Sequence, residues 1–316
     1  MSEFSCSVVI PVFNKATTIG RAISSALAQS SPVDEIIVVN DGSSDSTAHV
    51  LEGYGDESRV RVITFAENRG VSQARNEGVC AARSEWIALL DADDYWEPDF
   101  IEALRISELD EYGLVGSGYR YMTGRGSLVA RFPLAEVPIS EVLDYFEWAV
   151  KGDLPYTCSS VIIRRKLLNQ IGGFDSSLAM GEDQVLWARL LDKGKGAFVN
   201  SIKATYDLTG SSAVSDISHR LKSPAYLDVM VRMVETGLLM PTPYFKHYVR
   251  KVFRNYLIYQ LAYLDSRSLK ESLCDPKTSF LGIGEQLATR VAVGFPLVWR
   301  GSVLQMALKR LNKKWH

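Results

Sequence analysis

The chain has 316 residues, 47% hydrophobic and 23% charged, the proportions of a folded globular protein whose core needs no disulfide staples. A formal net charge of −2 excludes a globally basic nucleic-acid binder. The four cysteines, Cys6, Cys80, Cys158 and Cys274, form no Cys-x-x-Cys pair, which argues against a zinc knuckle or a dithiol redox motif and fits a reducing cytoplasm.

No secretory leader is read at the start, because the first apolar run lacks a basic flank and is broken by Pro11. From there the chain alternates. Ser7–Pro11 reads as a buried strand, and Thr17 or Thr18 can cap a helix with Ile19, Ala22, Ile23, Ala26 and Leu27 on one face. Glu35–Val39 is a second strand, ended by the turn-rich Asn40–Asp45, with Asp45 as a helix cap. Val50, Leu51 and Tyr54 mark a second helix. Arg59–Phe65 is a third strand, Ser72–Ala82 a helix and Trp86–Leu90 a fourth strand, and Pro98 can start the next helix.

This order predicts an α/β fold with a mostly parallel, Rossmann-like sheet flanked by helices. Ligands in such sheets bind beyond the carboxyl ends of the strands. Phe13-Asn14, Asp41, Asn68 and Asp91 all fall there, so four loops converge on one edge. Further on, Leu114–Met122, Thr157–Arg164 and Phe198–Leu208 read as strands, Ser140–Val150 and Glu182–Lys193 as helices, and Gly172–Asp175 as a turn. The pattern suggests a catalytic unit over 1–215 and a mainly helical region over 216–316.

The chemistry-bearing residues each have a plain structural alternative. Asp91-Ala92-Asp93-Asp94 follows an apolar strand and can offer carboxylates to Mg²⁺ or Mn²⁺, which would neutralise a diphosphate; the same acids could form a solvated turn or cap. Asp41 can accept a hydrogen bond from a nucleobase, or simply close an Asx turn with Gly42 and Ser43. Gly70, Ala74 and Gly78 fall four apart, a face that can approach the sheet closely, with Arg75 and Asn76 turned elsewhere, toward a donor or toward solvent. Asp183, beside Glu182 at a helix start, is the candidate base, though acids are routine in a first turn.

In their order and spacing, the segments Val9–Asn14, Ile37–Asp45, Asn68–Gly70, Ala74–Gly78, Leu90–Asp94, Gly172–Asp175 and Glu182-Asp183 resemble the family 2 glycosyltransferases with the GT-A type fold. The likeness covers residues 5 to about 210 and not the last third. It implies a nucleoside diphosphate-sugar donor of the UDP-sugar kind, a divalent cation, and inversion at the anomeric carbon. On that likeness Pro11, Phe13, Asn14, Asp41 and Arg75 would border the donor, Asp91 and Ala92 would approach its ribose, Asp93 with Asp91 would hold the metal, and Asp183 would deprotonate the acceptor. Members often carry an acid shortly after the Asn of the first motif and a His near the domain's end; here Lys15 and Ala16 follow Asn14, and no His lies at Tyr206–Gly210, leaving His219 as a substitute.

The last third carries no acid after Glu285, and Ser302–Trp315 patterns as a basic amphipathic helix. Such a helix suits an anionic membrane surface or packing on its own domain. The likeness favours a peripheral enzyme on the cytoplasmic face, extending a glycan or lipid-linked glycan. No segment is long enough to span a bilayer; the best, Val291–Trp299, contains Gly294 and Pro296. Two other functions fit such a chain: a non-catalytic sugar-nucleotide-binding or scaffold subunit, and a sugar nucleotidyltransferase. The second lacks the Gly-rich basic phosphate loop that reaction wants.

Overall fold

A computed structural model describes residues 4–133, 137–209 and 224–263, with the single positions 277, 279 and 281. His219, Val291–Trp299 and the basic segment Ser302–Trp315 lie outside the described residues, as does the expected unit boundary at 215.

The chain opens with β1 (Cys6–Val12), α1 (Ile19–Leu27), β2 (Glu35–Asn40), α2 (Thr47–Glu52), β3 (Val60–Thr64), α3 (Val71–Ala81) and β4 (Trp86–Leu89). These strands pair in parallel in the order β3-β2-β1-β4. All seven residues of β1 are buried. Val9, Ile37 and Val39 point into one core, while Val8, Ile10, Val12, Ile36 and Val38 point into the other. Period-two alternation thus feeds two apolar layers, which is why the strands read as unbroken apolar runs.

The small face of α3 works as expected at Gly78: a Cβ there would lie 2.3 Å from a Val9 methyl, so only glycine lets this helix sit so close to β1. Gly70 differs. Nothing lies within 4 Å of its missing Cβ, but its φ of 93° belongs to the left-handed region, so it serves the turn rather than the packing.

The chain then adds β5 (Tyr95–Trp96), α4 (Phe100–Leu104), β6 (Leu114–Thr123), β7 (Gly126–Val129), β8 (Ile139–Val142), α5 (Tyr145–Lys151), β9 (Val161–Arg164), α6 (Arg165–Gln170), α7 (Glu182–Lys193) and β10 (Gly196–Asp207). The sheet continues β4-β9-β6-β10-β5, with β7 on β6 and β8 on β10. Strand β9 runs antiparallel to both β4 and β6, whereas β6 and β10 are parallel. The helix expected over Ser140–Val150 is divided. Ile139–Val142 pairs with the edge of β10, and α5 begins only after Asp144, whose carboxylate accepts from the Phe146 (2.8 Å) and Glu147 (3.3 Å) amides. Sheet pairing claims the first three residues of that expected helix, and the side-chain cap fixes where the helix can start.

Two further helices follow, α8 (Ala225–Glu235) and α9 (Phe245–Tyr263). Tyr226, Leu227, Met230, Phe245, Tyr248, Val249 and Phe253 are buried in the same apolar core as α5, α7 and one face of β1. These helices are therefore packed into the sheet's own interior.

Candidate active site

At the carboxyl ends of β1 and β2 the chain is knitted by side chains. Pro11 is buried within β1, and Phe13 emerges 43% exposed, an apolar ring at the sheet edge. Asn14 takes a left-handed φ of 52°, and its Oδ1 accepts from the Ser44 amide (2.8 Å) and the Asp45 amide (3.3 Å). Asn14 thus ties the loop after β1 to the loop after β2.

Asp41 is 2% exposed and densely engaged. Its Oδ1 accepts from the Arg69 amide at 2.7 Å, and its Oδ2 accepts from the Gly70 amide and from Asn68 Nδ2, each at 2.9 Å. A carboxylate has about four acceptor positions. Three are occupied within the chain, so the first duty of Asp41 is to close the Asn68-Arg69-Gly70 loop.

The acidic loop after β4 is built differently. Asp91 and Asp93 keep about a quarter of their side-chain surface open, at 24% and 23%. Lys15 Nζ lies 2.6 Å from Asp93 Oδ2, and Arg75 lies 2.7 Å from Asp91 Oδ1. Ala92 is buried and presents only its backbone. Asp94 is sealed inside at 1% exposure; burial, then the neighbouring Asp91 and Asp93 charges, push its carboxyl well above the usual range. Its oxygens accept from Ser159 Oγ and from the Asp207 amide (2.9 Å). Ser159 Oγ also accepts from the Asp91 amide at 3.0 Å. Asp94 and Ser159 therefore hold the loop's shape and leave the two outer acids facing the cleft.

Arg75 is the centre of the arrangement. Its guanidinium, 5% exposed, bridges Asp91 and Glu182 (2.7 and 2.8 Å) and stands over the Phe174 ring. Burial opposes its charge, but Asp91 and then Glu182 hold its pKa well above the ordinary value. Arg75, a candidate donor neighbour, is in this structure a strut between the acidic loop and α7. Asn76 is also engaged within the chain. It clamps the Phe174 backbone from both sides, accepting from the amide and donating to the carbonyl (each 2.9 Å), and so fixes the Gly172–Asp175 turn.

That strut brings the start of α7 to the sheet edge. Asp183 is half-buried there, and its Oδ1 accepts from the Gln184 amide at 2.8 Å. Burial first, then the Glu182 charge, lift its carboxyl to about 7, against the lowering effect of Arg75. Such a group changes protonation near neutral pH, which suits a general base.

Sequence reasoning missed Arg21 and Asp207. The Arg21 guanidinium donates to the Asp93 carbonyl (2.6 Å), pairs with Asp207 (2.7 Å) and lies over the Tyr95 ring. Asp207 closes β10 within the Tyr206–Gly210 segment that holds no histidine. No local period pointed to them, because Lys15 precedes α1 and Arg21 lies six residues further on, which is not a same-face helical spacing.

Asp91 and Asp93 are hard oxygen donors, the chemistry a divalent cation takes, and Asp93 already carries a positive charge beside it in Lys15. Among the described residues no group of three or more His, Cys, Asp or Glu side chains is arranged to hold a metal. One or two carboxylates suit a cation such as Mg²⁺ or Mn²⁺, whose shell would be completed by ligand oxygens and water.

A Rossmann-like sheet with acids gathered beyond the carboxyl ends of its strands is the architecture of the GT-A type fold. The glycosyl transferase family 2 profile matches residues 7–172, and the chain belongs to that family. It is 31% identical over 213 residues to the putative teichuronic acid biosynthesis glycosyltransferase TuaG of Bacillus subtilis, covering 66% of this chain and 81% of TuaG. It is 34% identical over 200 residues to the succinoglycan biosynthesis protein ExoO of Rhizobium meliloti, covering 59% of this chain but only 55% of ExoO. In fold it is similar to S. aureus TarS, with a TM-score of 0.62 at 18% identity over 92% of this chain and 52% of TarS. The 1–349 portion of TarS in complex with UDP-GlcNAc superposes at 0.61 with 17% identity, covering 90% of each chain. Among the described residues no helix is long and apolar enough to cross a membrane.

Proposed function

We propose that this chain transfers a sugar from a uridine diphosphate donor to a hydroxyl of a growing cell-surface polysaccharide, with inversion and with Asp183 as general base. The single observation that carries the reading is the Asp91–Arg75–Glu182 bridge, which sets the base-bearing turn of α7 beside the acidic loop of β4. The likeness to TuaG of teichuronic acid biosynthesis and ExoO of succinoglycan biosynthesis supports a polysaccharide acceptor, and the TarS complex with UDP-GlcNAc supports a uridine nucleotide.

In this mechanism the exposed Phe13 ring and the remaining acceptor position of Asp41 border the base, and Asp91 and the backbone at Ala92 approach the ribose. Asp93, with Asp91 beside it, would hold a divalent cation, which supplies charge neutralisation for the departing diphosphate. Asp183 accepts the acceptor's hydroxyl proton as the oxygen attacks the anomeric carbon. The bond to the β-phosphate oxygen breaks in the same displacement, and its electron pair leaves with the diphosphate. A base and a leaving group on opposite faces of the sugar give inversion.

Net charge supports a cation requirement. Among the described residues Asp91, Asp93, Glu182 and Asp207 are paired with Lys15, Arg21 and Arg75, so these groups offer a diphosphate no positive surplus. Asp183→Asn tests the base assignment. UDP should bind the variant with Mn²⁺ as it binds the parent, while transfer falls by about 10³-fold, the scale of lost general-base catalysis. Undiminished transfer by that variant would overturn the assignment.

A further inference from the structure

The first turn of α7 is not held by the sheet alone. Gly181, just before it, has a φ of 79°, and a Cβ there would lie 2.2 Å from Tyr226 Cδ1 of α8. The Tyr226 ring thus occupies the space that any side chain at 181 would need. One residue after Asp183, Gln184 Oε1 accepts from the hydroxyl of Tyr248 of α9 at 2.6 Å. Tyr145 of α5 packs edge-on against Tyr248, with ring centroids 6.0 Å apart, and all three tyrosines are buried.

We propose that Tyr226 and Tyr248 are positioning residues that hold Gly181 and Gln184, and so aim Asp183, from helices lying beyond the segment that matches the family. The inference rests on Asp183 being the base and adds where its geometry comes from. Gly181 and Gln184, on either side of the Glu182-Asp183 pair, are each met by a different helix, and these two contacts add to the Arg75 tie on Glu182 that the matched segment 7–172 supplies. The helical region is on this account part of the catalytic apparatus, independent of any role in acceptor or membrane contact.

The charged and titratable groups around Asp183 are known on every side. Glu182 lies on its own helix, Arg75 on α3, Asp91 at the end of β4, Cys158 before β9 and Tyr206 on β10. Tyr145, Tyr226 and Tyr248 face it from α5, α8 and α9. Burial is the largest influence on the Asp183 carboxyl, and the three tyrosine rings exclude water on the helical side. Removing one ring therefore admits water and favours the ionised form.

The experiment uses the full chain with Tyr226→Ala, Tyr226→Phe and Tyr248→Phe, compared with Asp183→Asn. UDP affinity is measured with Mn²⁺ by calorimetry, and transfer is followed from pH 5 to 9 (roughly two units either side of neutrality). Tyr226→Ala should keep the parent's UDP affinity, lose about tenfold or more in kcat through misplacement of the base, and move the acid limb to lower pH. Tyr226→Phe, which keeps the ring, should restore both. Tyr248→Phe should lower kcat without weakening UDP binding.

A folded Tyr226→Ala variant with the parent's kcat and acid limb would overturn the inference. If Tyr226→Ala does not fold, Tyr248→Phe decides: reduced kcat with unchanged UDP affinity supports it, and parental kcat refutes it. An inactive Asp183→Asn alongside unaffected tyrosine variants removes only the helical inference. An active Asp183→Asn removes the base assignment itself.

Discussion

Two acids sit at equivalent places in this sheet, Asp41 after β2 and Asp93 after β4, and they are held in opposite ways. Asp41 is closed in by two backbone amides and one side-chain amide of a single loop. Asp93 is met by a lysine on a side chain that is 28% exposed. Backbone donors are fixed once the loop folds, so Asp41 cannot trade partners without unmaking that loop. A lysine ammonium on a flexible stem can leave, so Asp93 can exchange one cation for another. The difference separates a carboxylate that builds the cleft from one that is available to a ligand.

The largest effect should come from removing the exchangeable acid. Asp93→Ala should weaken Mn²⁺-dependent UDP binding by about 100-fold or more, since a bound cation is worth several kcal/mol at a phosphate. Calorimetry with UDP, with and without Mn²⁺, reads this directly. Equal affinity in variant and parent would place the cation elsewhere and erase the contrast with Asp41.

Next comes the Arg75 strut. Glu182→Gln removes a charge that, after burial, helps raise the Asp183 carboxyl to about 7. Asp183 is ionised above its pKa, so activity rises as pH increases through that value. With Glu182 neutral the pKa falls, and the rising limb should move to lower pH, with kcat reduced about tenfold because the turn of α7 loses one tie. A pH–rate profile in which the limb stays put would uncouple the strut from the base.

Asp41→Ala should act on stability first. It leaves the Arg69 and Gly70 amides and Asn68 Nδ2 without their acceptor, at a cost of about 3 kcal/mol, on the scale of a few buried unmet donors. Thermal unfolding would show it. A variant that lost UDP affinity but kept its melting point would mean that Asp41 belongs with Asp93, as a ligand contact.

The sequence allowed the strand edge to be read but not the wiring behind it. Ile36–Val39 and Ile87–Leu90 are apolar runs ending in acids, and burial on both faces dictates such runs in a parallel sheet. Asp91, Asp93 and Asp183 accordingly lie where the pattern put them. The bridging role of Arg75 was not legible because its partners are 16 and 107 residues away, and no local period encodes them. Ser159 was missed for the same reason: its hydroxyl serves Asp94 and the Asp91 amide across 65 and 68 residues. The short strands β5, β7 and β8 carry too few residues for a period-two signal, and their pairing with β6 and β10 supplies what propensity does not. Asn76, expected near a donor, shows that a polar side chain beside a glycine turn can be absorbed by that turn's own amides.

The smallest effect is the most discriminating, because it asks whether the Lys15–Asp93 pair is a true competitor of the cation. Both groups are partly solvated, so the pair itself contributes little to stability. Lys15→Met should leave the melting point almost unchanged. It should also raise Mn²⁺ affinity in the absence of nucleotide by roughly threefold to tenfold, the equilibrium equivalent of about 1 kcal/mol. With UDP present the gain should shrink or reverse, because an ammonium near the diphosphate is then an attraction rather than an obstacle. Mn²⁺ titration followed by electron paramagnetic resonance, with and without UDP, measures both arms. If the nucleotide-free affinity of the variant equals that of the parent, Lys15 does not hold the cation's place, and the contrast between a fixed and an exchangeable acid must rest on Asp93 alone.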